Sequence, residues 1–228
     1  MLPAARTKAD QAYATLRRAI VIGQIPAGTP LEEAELETLA GAGRTPVRES
    51  LKRLAQDQFV LWPARKTPYV RDISVADVQS LYESRMLMEV PAARMAAVRA
   101  TDQQVQQMQV RGEELCDAAR RGDVYESIEA DHALHIAITK GSNNRFLTEA
   151  VDRLNCGSLR LWYVAHERLG LAEVPADHTK IIDALRARDA DRAEQAVRDH
   201  IQKSFDRQLQ VNFTGPQSVS LAGLQIGP

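Results

Sequence analysis

From Ile73 to about Val211 the chain offers only helical periodicity, and this constrains its fold more than any other feature. Six stretches, about 74–100, 102–120, 123–140, 144–168, 176–188 and 190–211, repeat apolar residues every three or four positions. That spacing builds one apolar face per helix. Such faces are buried by packing the helices around a shared core, so the region reads as an all-helical bundle. Pro91 falls inside the first stretch and should kink that helix or remove one backbone hydrogen bond.

Four ionisable residues interrupt these apolar faces. In 123–140, Val124, Ile128, Leu134 and Ile138 form a stripe with Asp131 and His135 in its middle. His178 shares a stripe with Ile181, Ile182 and Leu185, and His200 shares one with Ala193, Ala196 and Val197. A buried carboxylate or imidazole without a partner is costly. One carboxylate and three imidazoles converging in a helical core suit a divalent ion: Zn²⁺, Ni²⁺, Mn²⁺ or Fe²⁺, among which spacing does not choose. Asp131 and His135 lie one turn apart and can hold one ion from one helix. A single histidine on an apolar face is more often a satisfied core residue; the four together favour metal. His132 lies at the edge of the stripe and reads as a surface residue or an outer partner of the site. His166 has no metal spacing. Arg85 turns inward with Val78, Leu81, Tyr82 and Met88. Its planar fork suits a carboxylate, and the competing reading is a buried pair with Glu89, four residues on.

The front of the chain is different. Residues 9–22 carry Tyr13, Leu16 and Ile20 at helical spacing, and Pro26, Gly28 and Pro30 then break the chain. A short helix over 32–41 has Leu36 and Leu39 inward. The GAG at 41–43 is a tight turn, and 44–57 is a further helix with Val47, Leu51 and Leu54 on its core face. Pro46 stands in its first turn, where a missing N–H does no harm. Phe59–Leu61 and Tyr69–Arg71 read as two short strands joined by the basic loop WPARKTP. Helix, helix, turn, helix and hairpin make a winged helix-turn-helix. The expected fold is mostly α, with a winged helix-turn-helix in 1–72, an all-helical bundle in 73–212, and a Gly/Pro/Ser-rich tail in 213–228 read as flexible.

Charge separates the same regions. Residues 1–71 hold 11 Lys+Arg against 7 Asp+Glu, and residues 72–228 hold 18 against 23. A basic front suits a polyanion. Arg44, Arg48 and Lys52 form a cationic stripe about a quarter-turn from the core face, so an anchored helix can present them to a groove of double-stranded DNA. Arg44 and Thr45 sit at the helix N-terminus, the part of a recognition helix that meets base edges. Arg65 and Lys66 occupy the hairpin tip, within reach of a minor groove or the backbone. Taken alone, the stripe could be a solvated face with Glu49 and Arg53 paired in water; turn, helix and basic wing together favour DNA.

Cys116 and Cys156 are far apart and form no CxxC, which fits reduced cysteines in a cytoplasmic protein. The start MLPAARTKAD has no apolar leader, and no run of about 18 apolar residues is present, so neither a signal peptide nor a membrane span is expected. Enzyme signatures are incomplete. HERLG at 166–170 lacks the second histidine of HExxH, Glu129-x-x-His132 is half of a di-iron pattern, and GxSxG does not occur.

The stretch PAGTPLEEAELETLAGAGRTPVRESLKRL (26–54) resembles the DNA-binding domain of GntR-type bacterial transcription regulators, with RTPVRESLKRL as the specific part. LYESRMLME (81–89), DHALHIAI (131–138), SNNRFL (142–147), DHTKII (177–182) and RDHI (198–201) resemble the FCD effector domain of the FadR-like branch, in its shorter VanR-like version. The resemblance implies DNA contacts from Arg44, Thr45, Arg48 and the wing, and a metal held by Asp131, His135, His178 and His200. It further implies a homodimer that acts as a repressor at a pseudo-palindromic operator. The effector would be a small organic acid bound at the metal and Arg85. Asn144 matches the family's asparagine in the turn between two helices, as a pocket residue or as a local cap. Gly43 stands where the family has a small hydroxyl residue, and Gln58 and Thr67 stand where it has glycines. A metal-sensing repressor, in which the ion itself is the signal, and a helical metalloenzyme are the alternatives.

Overall fold

A computed structural model describes residues 7–172 and 174–212; the expected flexible tail, 213–228, lies outside the described residues. The chain divides into two units, Met1–Ile73 and Ser74–Pro228.

In the first unit, α1 (Lys8–Val21) starts on a capping box. Thr7 accepts from the Asp10 backbone, and Asp10 accepts from Thr7. A break at Gly23–Gly28 leads to α2 (Glu33–Ala40), which ends on Gly41 in the left-handed conformation, φ 59°. The turn feeds α3 (Arg44–Gln56), whose N-cap, Gly43, supplies no side-chain hydrogen bond. Leu16, Ile20, Leu36, Val47, Leu51 and Leu54 close the core. The wing is β1 (Val60–Leu61) antiparallel to β2 (Tyr69–Val70), with Val60 opposite Val70 and Leu61 opposite Tyr69. An isolated bridge from Pro30 to Tyr69 adds a third segment at the sheet edge, which the sequence reading did not foresee. Gln58 has φ 67°. It takes up the left-handed turn for which a glycine would be the unstrained choice, at a cost of about 1–2 kcal/mol for a residue with a Cβ.

The second unit holds α4 (Val75–Arg99), α5 (Asp102–Arg121), α6 (Val124–Gly141), α7 (Arg145–Leu169), α8 (Val174–Arg186) and α9 (Ala190–Asn212). These match the six periodic stretches to within a residue or two, and the mostly helical fold is as the periodicity predicts. Capping boxes at Ser74/Asp77 and Thr101/Gln104 fix the starts of α4 and α5. Pro91 does not end α4, which runs through it. The carbonyl it leaves without a donor belongs to Leu87, on the exposed side, where water can serve it. α6 packs on α4, α5 and α7, while α9 packs on α4, α7 and α8. Two glycines permit this closeness. A Cβ on Gly112 would meet Ile182 Cδ1 at 2.1 Å, and one on Gly141 would meet Met108 Cε at 2.3 Å.

Candidate metal centre and DNA-facing helix

Three helices bring the four ionisable residues to one place: α6 carries Asp131 and His135, α8 carries His178, and α9 carries His200. Each offers a ligand atom, and these atoms all lie within 4.8 Å of one another. The three imidazoles are buried, and the Asp131 side chain is 15% exposed. Nε2 of His178 lies 2.6 Å from Asp131 Oδ1, and Nε2 of His135 lies 3.2 Å from Nε2 of His200. The outer ring nitrogens explain this orientation. Nδ1 of His178 donates to the Val174 carbonyl at 2.7 Å, and Nδ1 of His135 lies 2.5 Å from Glu89 Oε2. With Nδ1 of each ring turned to an outer acceptor, Nε2 of His178 and of His135 points inward, the orientation of a metal-ligating histidine.

Protein hydrogen bonds alone do not satisfy the cluster. His178 Nε2 and the Asp131 carboxylate form a close charged pair, and His200 Nδ1 is buried without a hydrogen-bond partner among the described residues. Four ligand-type side chains gathered within 4.8 Å can close around one ion. Burial disfavours the charged form of His178, but the Asp131 carboxylate outweighs it and raises that pKa. Burial would raise the pKa of Asp131, but His178 and His135 hold it well below 3.8. Burial, aided by His178 and His135, pushes His200 well below 6.5 and keeps it neutral, the form that ligates. One carboxylate and three imidazoles form a donor set that fits a divalent ion of intermediate softness, with the His178 proton displaced as the ion binds.

Arg85, on α4, adjoins the cluster through Glu89. Its Nε lies 2.7 Å from Glu89 Oε1, with both side chains at most 2% exposed. Glu89 therefore serves two partners at once, Arg85 through Oε1 and His135 through Oε2. Burial would raise the Glu89 pKa, but Arg85 and His135 bring it down to about 2. The guanidinium carbon lies 4.7 Å from the Trp162 ring centre and 5.2 Å from that of Tyr82. Trp162 Nε1 donates to the Tyr82 hydroxyl at 3.1 Å, which locks the two rings together. Nη1 and Nη2 of Arg85 remain buried with no hydrogen-bond partner among the described residues. The expected buried pair with Glu89 is present: it takes Nε and leaves the two-nitrogen end.

Asn144 is an N-cap. Its side chain accepts from the Leu147 backbone at the start of α7, the local role expected of it. His166 contacts the Gly170 carbonyl. His132 lies 3.0 Å from Asp152 Oδ1. No periodicity marks Glu89 as a histidine partner, the Trp162/Tyr82 shelf, or Asn155, whose fully buried amide has neither atom hydrogen-bonded among the described residues.

In the first unit Arg44, Thr45, Arg48, Lys52, Arg65 and Lys66 are all exposed. Glu33 of α2 holds two of them, Arg44 Nε at 2.7 Å and Arg48 Nε at 3.2 Å. Those arginines are 70% and 49% exposed, so the pairs are worth little in water and phosphates can compete for them.

Residues 8–70 match the gntR family of bacterial regulatory proteins, and residues 80–203 match the FCD domain. The chain belongs to the GntR family. Its helical unit is the FCD domain of the FadR-like architecture, and the protein is a DNA-binding transcription regulator rather than an enzyme. The chain is similar to the HTH-type transcriptional repressor RspR of Escherichia coli K12, with 29% identity over 203 residues, 89% of either chain. It is 27% identical to the probable D-xylose utilization operon transcriptional repressor of Paenarthrobacter nicotinovorans, over 86% of either chain. The solved structure of E. coli McbR/YncC shares the fold, with a TM-score of 0.77 at 22% identity, covering 90% of this chain and 98% of that one. None of the described helices of this GntR regulator is long and apolar enough to cross a membrane.

Proposed function

We propose that this GntR regulator is a homodimeric repressor whose operator binding is set by a small carboxylate effector, held jointly by Arg85 and a divalent ion on Asp131, His135, His178 and His200. One observation carries the reading: a fully buried guanidinium with its two-nitrogen end unpaired. A buried donor without an acceptor costs about 1–3 kcal/mol, more when charged. A carboxylate meets both donors in one bidentate contact. When bound, the ion supplies a second positive anchor for the same acid.

The protein's own groups do the rest. Glu89 orients Arg85 by its Nε and His135 by its Nδ1, so the two anchors share one support. Trp162 and Tyr82 shield the guanidinium from water, which strengthens its hold on an anion. The effector changes operator occupancy only through its different affinity for the DNA-competent and DNA-incompetent states. Two similar proteins named as repressors support repression as the direction.

The test is an operator-binding titration with small carboxylic acids, on metal-loaded and chelator-stripped protein. An acid should shift operator affinity in the loaded protein, and Arg85→Met should abolish the shift while leaving the metal in place. Regulation by metal alone, with no acid active, would make the ion the signal. At the DNA end, Arg44→Ala should weaken operator binding by roughly 1–3 kcal/mol and relax base preference. A variant that binds its operator like the parent would remove Arg44 from the interface.

A further inference from the structure

We propose a second cation site, distinct from the Asp/His cluster, in which His132, Asp152 and Cys156 hold one zinc ion between α6 and α7. Asp152 and Cys156 are one turn apart on α7 and face the same way. His132 follows Asp131 in sequence. Because successive helical residues diverge by about 100°, one side chain serves the core while its neighbour turns toward α7. The three candidate ligand atoms, a nitrogen, an oxygen and a sulfur, lie within 4.8 Å of one another.

His132 Nε2 is 3.0 Å from Asp152 Oδ1, yet this buried nitrogen makes no hydrogen bond. A plain imidazole–carboxylate pair would align its N–H with the oxygen. Here the ring nitrogen and the carboxylate stand beside the Cys156 sulfur, within 4.8 Å. Tetrahedral zinc wants ligand atoms roughly 3.3–3.8 Å apart, given Zn–N near 2.0 Å and Zn–S near 2.3 Å. A separation of at most 4.8 Å closes to that value by small side-chain rotations.

The donor sets of the two sites select different ions. The inner set has no sulfur and accepts Mn²⁺ or Fe²⁺ as well as Zn²⁺, whereas a thiolate favours Zn²⁺ and its heavier congener Cd²⁺. The Cys156 thiol loses its proton to solvent as the metal–sulfur bond forms. The Asp152 side chain is 54% exposed, so an ion enters from solvent, and water completes the fourth position. Cys156 and His132 are nearly buried, so the ion binds at the edge of the domain and not on a flat surface. An ion here ties α6 to α7 one residue from the inner ligand Asp131. The site stands whether or not the inner cluster regulates DNA binding.

Cadmium distinguishes the sites, because only sulfur ligation gives a thiolate-to-cadmium charge-transfer band in the near ultraviolet. The full-length protein, reduced and stripped with chelator, is titrated with Cd²⁺. The wild type should develop the band to a limit of one per protomer. Cys116→Ser and His178→Ala should keep it, and Cys156→Ser should abolish it without changing the circular dichroism. His132→Ala should weaken the band-forming event about tenfold or more. Folded wild-type protein that takes up cadmium with no band, or a band that survives Cys156→Ser, would overturn the proposal. Loss of the inner ion alone, seen as one cadmium fewer with the band intact in His178→Ala, supports it.

Discussion

Glu89→Gln is expected to destabilise the FCD domain by roughly 3–5 kcal/mol, the cost of stranding one charge of a buried pair. Arg85 is 1% exposed and has no other carboxylate at hydrogen-bond distance among the described residues. A glutamine has one acceptor oxygen for two N–H partners, and its amide turns a donor toward either Arg85 or His135. Urea unfolding of chelator-stripped wild type and variant measures the loss. Acid adds a second readout. The Glu89 carboxyl is lowered from 4.5 to about 2, so its contribution is fully present above about pH 4.5 and disappears as the pH falls toward 2. The variant should lack that component of the acid dependence. Its metal affinity should also fall by about 10–100-fold, because His135 loses the group that holds its Nδ1 proton. Unchanged stability and unchanged metal affinity would mean that Glu89 supports neither anchor.

His178→Ala is expected to remove the inner ion, a larger effect than any outer partner produces. It deletes one of three imidazoles and frees the Asp131 carboxylate from its nearest cation partner, 2.6 Å away. In the wild type, saturating metal at about 1,000 times its dissociation constant adds about 4 kcal/mol to folding stability. The variant should therefore lose the rise in melting temperature that Mn²⁺ gives the stripped wild type. A metal-dependent rise of the same size in His178→Ala would exclude this histidine as a ligand.

The helices and the four clustered residues were legible because both obey one rule, the 3.6-residue period. Ile181, Ile182 and Leu185 define an inward face, and His178 lies on it whatever its neighbours are. The partners of that face were not legible, because they come from other helices. Glu89 is visible in sequence as the neighbour of Arg85 four residues on. Its second contact, to His135, arises only when α4 packs on α6. The Trp162/Tyr82 shelf brings together residues 80 positions apart, and the pair formed by His132 and Asp152 depends on how α7 lies against α6. In the first unit the hairpin was readable from its apolar runs and basic loop. The bridge from Pro30 was not, since proline carries no strand signal, and neither was the strained φ of Gln58, where a side chain occupies a glycine's conformation. Asn144 shows the opposite limit: a pocket role and a cap call for the same residue type, and the sequence does not say that its carbonyl oxygen caps α7 through Leu147.

Anomalous diffraction from crystals grown with Mn²⁺ tests the account most directly. It should reveal one peak in the FCD domain, about 2.0–2.3 Å from an Asp131 oxygen and from Nε2 of His135, His178 and His200. Crystals with no peak there, and with those four side chains hydrogen-bonded only to one another, would contradict it.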